Sequence, residues 1–324
     1  MPGLITARPL KKEYKVEQQQ QERLFGLRVG YEMVSIDKVI FNPHNLRGFL
    51  RSPEQIARIA YSIRKDGLLN NPIVSFTVNG ILAVAGEQRL LSHRYLVNEG
   101  YQEYTRVFCK VLEGVSDEVA MRILAVENAN QGTQVPIATA NEVYWHYQMS
   151  FREVQHVEAL RSVQGIWANG KYAYDALVVP GWLIYHAPTI QTLIGVVGGD
   201  RADLGNAYVQ ETSAKLRRIP LAWWRMIAWP FKPMEHRELL DAPSDTVQNA
   251  FDELLRQCLS LVERGEKGER ALMELESRAL PIRERRILRA LEDREERGER
   301  GSNVSALHRE LRNVRDRIRK RRTG

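Results

Sequence analysis

Two cysteines in 324 residues are too few for a disulfide framework. Cys109 and Cys258 lie far apart in the sequence and fit no metal or redox spacing, so they read as two buried, reduced thiols. No run approaches the roughly 18 consecutive apolar residues of a membrane helix, so no membrane partner is expected. The first residues, MPGLITARPLKKEYKVEQQQQERLF, lack the apolar core of a secretory signal. Residues 1–32 therefore read as a polar leader, and the expected location is the cytoplasm. No internal repeat is evident. Hydrophobic content of 44% and charged content of 27% are ordinary for a globular protein.

What is present is an uneven placement of charge. The formal net charge is +7, and Arg309–Gly324 carries eight Lys/Arg against two Asp/Glu. The chain is therefore nearly neutral apart from a basic tail. Such a tail can neutralise phosphates and release counterions without reading a base sequence. Arg312, Arg315, Arg319, Lys320, Arg321 and Arg322 are the expected DNA contacts. In the same segment Val304, Leu307, Leu311, Val314 and Ile318 repeat at alternating spacings of three and four. That seam suits either self-association as a dimer or packing within the chain.

From Val34 to about Lys110 strand and helix patterns alternate. Val34–Ile40 reads as one strand closed by Asn42-Pro43. Ser52-Pro53-Glu54 reads as a helix start, and Gly67 as its end. Pro72–Val78 and Ile81–Ala85 flank Asn79-Gly80, a hairpin signal. A helix is expected from about Glu87 to Glu99, and a strand over Thr105–Leu112. Beyond Thr133 the patterns are helical: one long helix over Ala138–Val163, then another over 245–263. Trp223 and Trp224, within Pro220–Pro230, read as core rather than base-stacking residues. The fold class is an α/β domain over 33–132, a mainly α-helical region over 133–263 and a charged, basic C-terminal helical tail over 264–324.

The segment Ala85-Gly86-Glu87-Gln88-Arg89 leaves a strand and enters a helix. The first amides of such a helix are unsatisfied and attract anions. Arg89 and Arg94 can add charge-assisted bonds to phosphate. Glu87 stands where a carboxylate could hold a metal or act as a base.

Five elements occur in order: Ile36–Ile40 with Asn42-Pro43, Ser62-Ile63 through Gly67-Leu68-Leu69, Val84–Arg89, and Glu127-Asn128. Together they resemble the ParB/sulfiredoxin-like family, specifically the N-terminal domain of ParB partition proteins. The resemblance implies binding of CTP or ATP with magnesium (Mg2+). Gly86, Glu87, Gln88, Arg89, Arg94 and Asn128 would line the nucleotide, and Glu127 and Asn128 would donate oxygens to the metal. It also implies DNA as partner, in segregation or in phage or mobile-element biology, with a slow triphosphatase activity using Glu87. Gln88 stands where the family has arginine, and Gly132 stands where a second arginine is expected. Neither cysteine falls in the Gly86 box, which excludes sulfiredoxin's chemistry. The alternatives are a phosphotransferase or nuclease using Glu87, or an interaction protein with a degenerate pocket. A helix-turn-helix is sought at Thr189–Ile219, with Gly198 as the turn and Asp203–Glu211 as the second helix.

Overall fold

The computed structural model describes residues 29–323 apart from 43, 50–51, 78–79, 130–135, 167–173 and 199–200. In chain order it contains β1 (Val29–Ser35), β2 (Val39–Phe41), α1 (Pro53–Asp66), β3 (Ile73–Thr77), β4 (Gly80–Ala85), α2 (Glu87–Asn98), β5 (Arg106–Glu113) and α3 (Asp117–Ala129). Helices follow: α4 (Pro136–Glu153), α5 (His156–Ile166), α6 (Val178–His186), α7 (Pro188–Val197), α8 (Ala207–Arg218) and α9 (Leu221–Ala228). The last three are α10 (Asp245–Glu263), α11 (Gly268–Glu296) and α12 (Ser302–Thr323). None among the described residues is long and apolar enough to cross a membrane.

The chain divides into two compact units. The first holds all five strands, α1, α2 and the start of α3, together with Arg201. Its sheet has the order β1-β5-β3-β4-β2. β1 runs antiparallel to β5 and β3 antiparallel to β4, whereas β3–β5 and β2–β4 are parallel. The hairpin expected around Asn79-Gly80 is therefore formed by β3 and β4, its tip lying partly outside the described residues.

The single strand expected over Val34–Ile40 is instead two strands on opposite edges of this sheet. A 3-10 turn at Ile36–Lys38 separates them. Arg94 holds that bend, donating from Nη2 to the carbonyls of Ile36 (3.2 Å) and Val39 (3.0 Å). No local periodicity could report a clamp from 58 residues downstream.

The start of α1 matches its sequence signature. Ser52 Oγ accepts from the Gln55 amide, and Gln55 Oε1 accepts from the Ser52 amide, a reciprocal cap ahead of Pro53. Ile56, Ala60 and Ile63 form its buried face. On the sheet, Val29, Leu82, Val84 and Leu112 pack with Val115, Ala120 and Ile123 in one apolar cluster.

The second unit holds the remaining helices and the short turn Leu46–Phe49. Its core gathers Tyr144, Tyr147, Trp182, Trp223, Trp224, Phe231 and Phe251, so Trp223 and Trp224 are buried packing residues. The helix expected over Ala138–Val163 is broken between Glu153 and His156. Val154 and Val157, apolar residues of that stretch, are exposed. The break interrupts the continuous helical period that would set them on one face with Val143 and Tyr147. Gly181 sets how closely α6 approaches α4, because a Cβ there would lie 1.9 Å from the Ala140 carbonyl oxygen.

Candidate functional site

In the α/β unit, β4 runs directly into Gly86, which adopts φ +80° and ψ 26° and caps α2. The left-handed conformation favours glycine. A Cβ at this position would also lie 2.8 Å from Arg89 Nη2. Arg89 is thus folded across the turn, and its Nη1 donates to the Asn70 carbonyl at 2.7 Å. The sequence had placed Arg89 for phosphate; in this geometry it ties the 67–72 loop to the start of α2.

Glu87 follows as the first residue of α2, in the place where a carboxylate meets the positive end of the helix. It is buried, and Arg201 Nε donates to its Oε1 at 2.9 Å. Arg201 Nη2 also donates to the Asn42 carbonyl at 2.7 Å. Arg201 belongs to the α/β unit although it lies more than a hundred residues beyond Glu87 in sequence. It has φ +59°, the positive value found at a non-glycine residue among those described. Sequence reading missed it, since a lone arginine after Gly198-Gly199-Asp200 carries no periodicity or spacing signal.

Gln88 accepts at its backbone carbonyl from Ser92 Oγ, 2.8 Å away. Arg94, besides clamping the β1–β2 bend, places its guanidinium 4.9 Å from the Phe41 ring centroid. Cys109 is fully buried on β5, and burial pushes its thiol up to about 12 despite the nearby Arg89 charge. It is no nucleophile at neutral pH.

Glu127 and Asn128 stand at the end of α3 and belong to the helical unit. Asn128 Nδ2 donates to Glu142 Oε1 at 2.9 Å. Glu142 in turn receives a bidentate pair of bonds from Arg47, Nε to Oε1 at 3.0 Å and Nη2 to Oε2 at 3.2 Å. Neither Arg47 nor Glu142 was visible as a site residue, because 95 residues separate them. Gln131 and Gly132 lie outside the described residues. Among the described residues no group of three or more His, Cys, Asp or Glu side chains could hold a metal ion. Glu87, a carboxylate that could hold a metal, is engaged by Arg201 in this structure.

The basic tail is α12. Leu307, Leu311 and Val314 are buried against Leu280 and Ile287 of α11, so the seam is used within the chain. Arg283 grips Glu310 through two bonds of 2.9 and 3.0 Å. Arg315 bonds Glu284 at 2.7 Å, and Arg317 and Arg321 both engage Glu276. Burial would raise the Glu276 carboxyl, but the hydrogen bonds from Arg321 and Arg317 hold it below its ordinary value. Arg312, Arg319 and Lys320 are exposed and lie around the helix from the buried stripe. The side chain of Arg322 lies outside the described residues.

The Thr189–Ile219 region forms two helices, α7 and α8, but α8 begins at Ala207 rather than Asp203. Residues 198–206 separate them, with a 3-10 turn between, unlike the short turn of a helix-turn-helix.

An α/β unit built on a mixed five-stranded sheet and a helical unit ending in a basic helix define the class of this protein. No protein-family model matches the sequence, and no curated protein matches it. The chain is similar to a solved structure described as the C2221 form of a pNOB8-like ParB N domain. The identity is 15%, the TM-score 0.38, and the match covers 74% of this chain and 98% of the other. A second structure, of the pNOB8-like ParB N-domain, matches at 12% identity and a TM-score of 0.37, covering 76% and 94%.

Proposed function

We propose that this protein is a ParB-type, nucleotide-responsive DNA-associating protein, serving segregation or phage and mobile-element DNA. Its α/β unit takes a nucleoside triphosphate, CTP or ATP, at the Gly86 start of α2. Its α12 helix lies along duplex phosphates without reading bases.

The observation that carries this reading is the two-sided character of α12. One face is apolar and packed on α11, while Arg312, Arg319 and Lys320 are exposed away from it. A basic surface so arranged suits a polyanion and leaves the hairpin intact on binding.

A second reading is favoured by the Arg201–Glu87 ion pair: an interaction module whose degenerate pocket performs no turnover. A carboxylate held this way is poorly placed as an acid/base, which weighs against a phosphotransferase or nuclease using Glu87.

The test is fluorescence anisotropy on several unrelated duplexes across a salt series, comparing wild type with the Arg312→Gln/Arg319→Gln/Lys320→Gln variant. Each lost phosphate contact should remove about 0.9 from the slope of log K against log salt, equally for every sequence. An unchanged slope overturns the DNA reading of α12. Phosphate release with and without DNA separates the first reading from the second.

A further inference from the structure

A cavity of about 700 Å³ opens in the helical unit, between the first half of α10, the second half of α11 and the chain from Phe231 to Glu238. Its volume is in the range of small-molecule sites. Phe231, Met234, Val247, Ala250, Ile282 and Ala290 supply its apolar part. Arg285, Arg286, Arg289, Arg294 and Arg297 line it as well, and so do Glu235, Glu238, Glu253 and Asp293.

Arg286, Ala290 and Arg294 succeed one another at one-turn spacing, so they share a side of α11 with a small residue between two cations. The Arg294 side chain is only 9% exposed, and it makes no hydrogen bond among the described residues; Glu299 lies 4.0 Å from its Nε. Arg286 Nε is buried and has no acceptor among the described residues. Glu238 faces Arg286 at 3.9 Å and commits its other oxygen to the amides of Met234 and Glu235, at 2.8 and 2.9 Å. Burial lowers the Arg286 pKa against the pull of Glu238, and the Arg283 charge lowers it further. Buried guanidinium donors without acceptors are costly, and an anion arriving in the cavity would answer them. Glu235 and Glu238 are already engaged in capping the turn His236–Leu240. Glu253 and Asp293 are exposed, where water and salt screen them. From α10, the first turn enters the wall at Ser244, Thr246 and Val247, and the Ser244 hydroxyl caps none of its amides. That end adds donors and the positive pole of a helix to the arginine row.

We infer that this cavity binds a small phosphate monoester, with the phosphate over Ala290 between Arg286 and Arg294 and the apolar body on Phe231 and Met234. A phosphate monoester carries nearly two charges and three strong acceptor oxygens, which suits two guanidinium forks and a helix end together. A neutral molecule of the same shape would leave both buried arginines unanswered, and a cation would meet like charge. This site lies in the helical unit and does not depend on the Gly86 turn.

The experiment is calorimetric titration of the full chain with phenyl phosphate, using phenol and benzylamine as neutral and cationic controls. Phenyl phosphate should bind saturably at one site, and the controls should bind at least about tenfold more weakly. Arg294→Met should weaken phenyl phosphate by about tenfold while leaving the Tm of the free protein no lower, since it removes a buried charge that makes no hydrogen bond. Thr246→Trp changes an exposed residue of the wall, fills the cavity and should abolish binding. The Arg312→Gln/Arg319→Gln/Lys320→Gln variant should bind as wild type does. Equal affinity for phenyl phosphate and phenol overturns the phosphate assignment. Absence of saturable heat overturns the site, as does full binding by a folded Arg294→Met or Thr246→Trp protein. Loss of binding in the α12 variant overturns it too, because the ligand would then sit on the basic tail.

Discussion

Arg201 donates from Nε to Glu87 at 2.9 Å, and both side chains are almost completely buried. A buried pair of this kind is costly to break singly, because the survivor is left as an uncompensated charge. Arg201→Met and Glu87→Gln should each destabilise the protein by about 3 kcal/mol or more. The double variant should cost much less than the sum, since neither charge is then stranded. Denaturant unfolding of the four proteins checks this, and additive losses would show that the two groups do not act on one another.

Much of the α/β unit was legible because its signals are local. The Ser52 cap, the β3–β4 hairpin and the turn at Gly86 each need only a few neighbouring residues. What escaped was set by distant contacts. Arg94 divides one expected strand in two, Arg201 takes Glu87, and Glu142 joins Arg47 to Asn128. A period or a motif reports which face of an element is apolar; it does not report which buried charge another segment will neutralise. For the same reason the a/d seam of α12 left open whether its partner was a second copy or the neighbouring α11.

That seam yields a prediction of its own. Leu311 is buried against α11, so Leu311→Asp should loosen the α11–α12 hairpin. Loss of the apolar contact and burial of a carboxylate together should cost about 3 kcal/mol or more. Hydrogen exchange should show the amides of both helices losing protection, while β3 and β4 keep theirs. Unchanged protection in α12 would count against the packing described.

Arg89 faces two demands, the Asn70 carbonyl in the structure and a phosphate in the proposed complex. Arg89→Ala should lower triphosphate affinity by about tenfold, as expected for one charge-assisted contact. It should also release the 67–72 loop. Titration calorimetry reads the first effect and exchange at residues 68–71 reads the second. Loss of loop protection with unchanged nucleotide affinity would assign Arg89 to the loop alone.

Acid should unfold this protein through its histidines before its carboxylates. Burial pushes His186 down to about 4, and its ring lies edge-on to Tyr144 at 6.4 Å between centroids. Burial also lowers His93, His156 and His236, aided at His156 by the His236 charge and at His236 by Lys232. In the unfolded chain these rings titrate near the ordinary value of 6.5. Between pH 6.5 and about 4 the unfolded state therefore binds more protons than the folded one. Stability is then complete above pH 6.5 and declines as the pH falls through that window. One ring kept neutral contributes at most about 1.4 kcal/mol per pH unit, and less for His186 because it is only partly shielded from water. His186→Asn should flatten the fall in Tm between pH 6 and pH 5, where carboxylates such as Glu276 are still ionised. Parallel Tm curves for the variant and wild type across that interval would show that the His186 ring gains its proton without opening the fold.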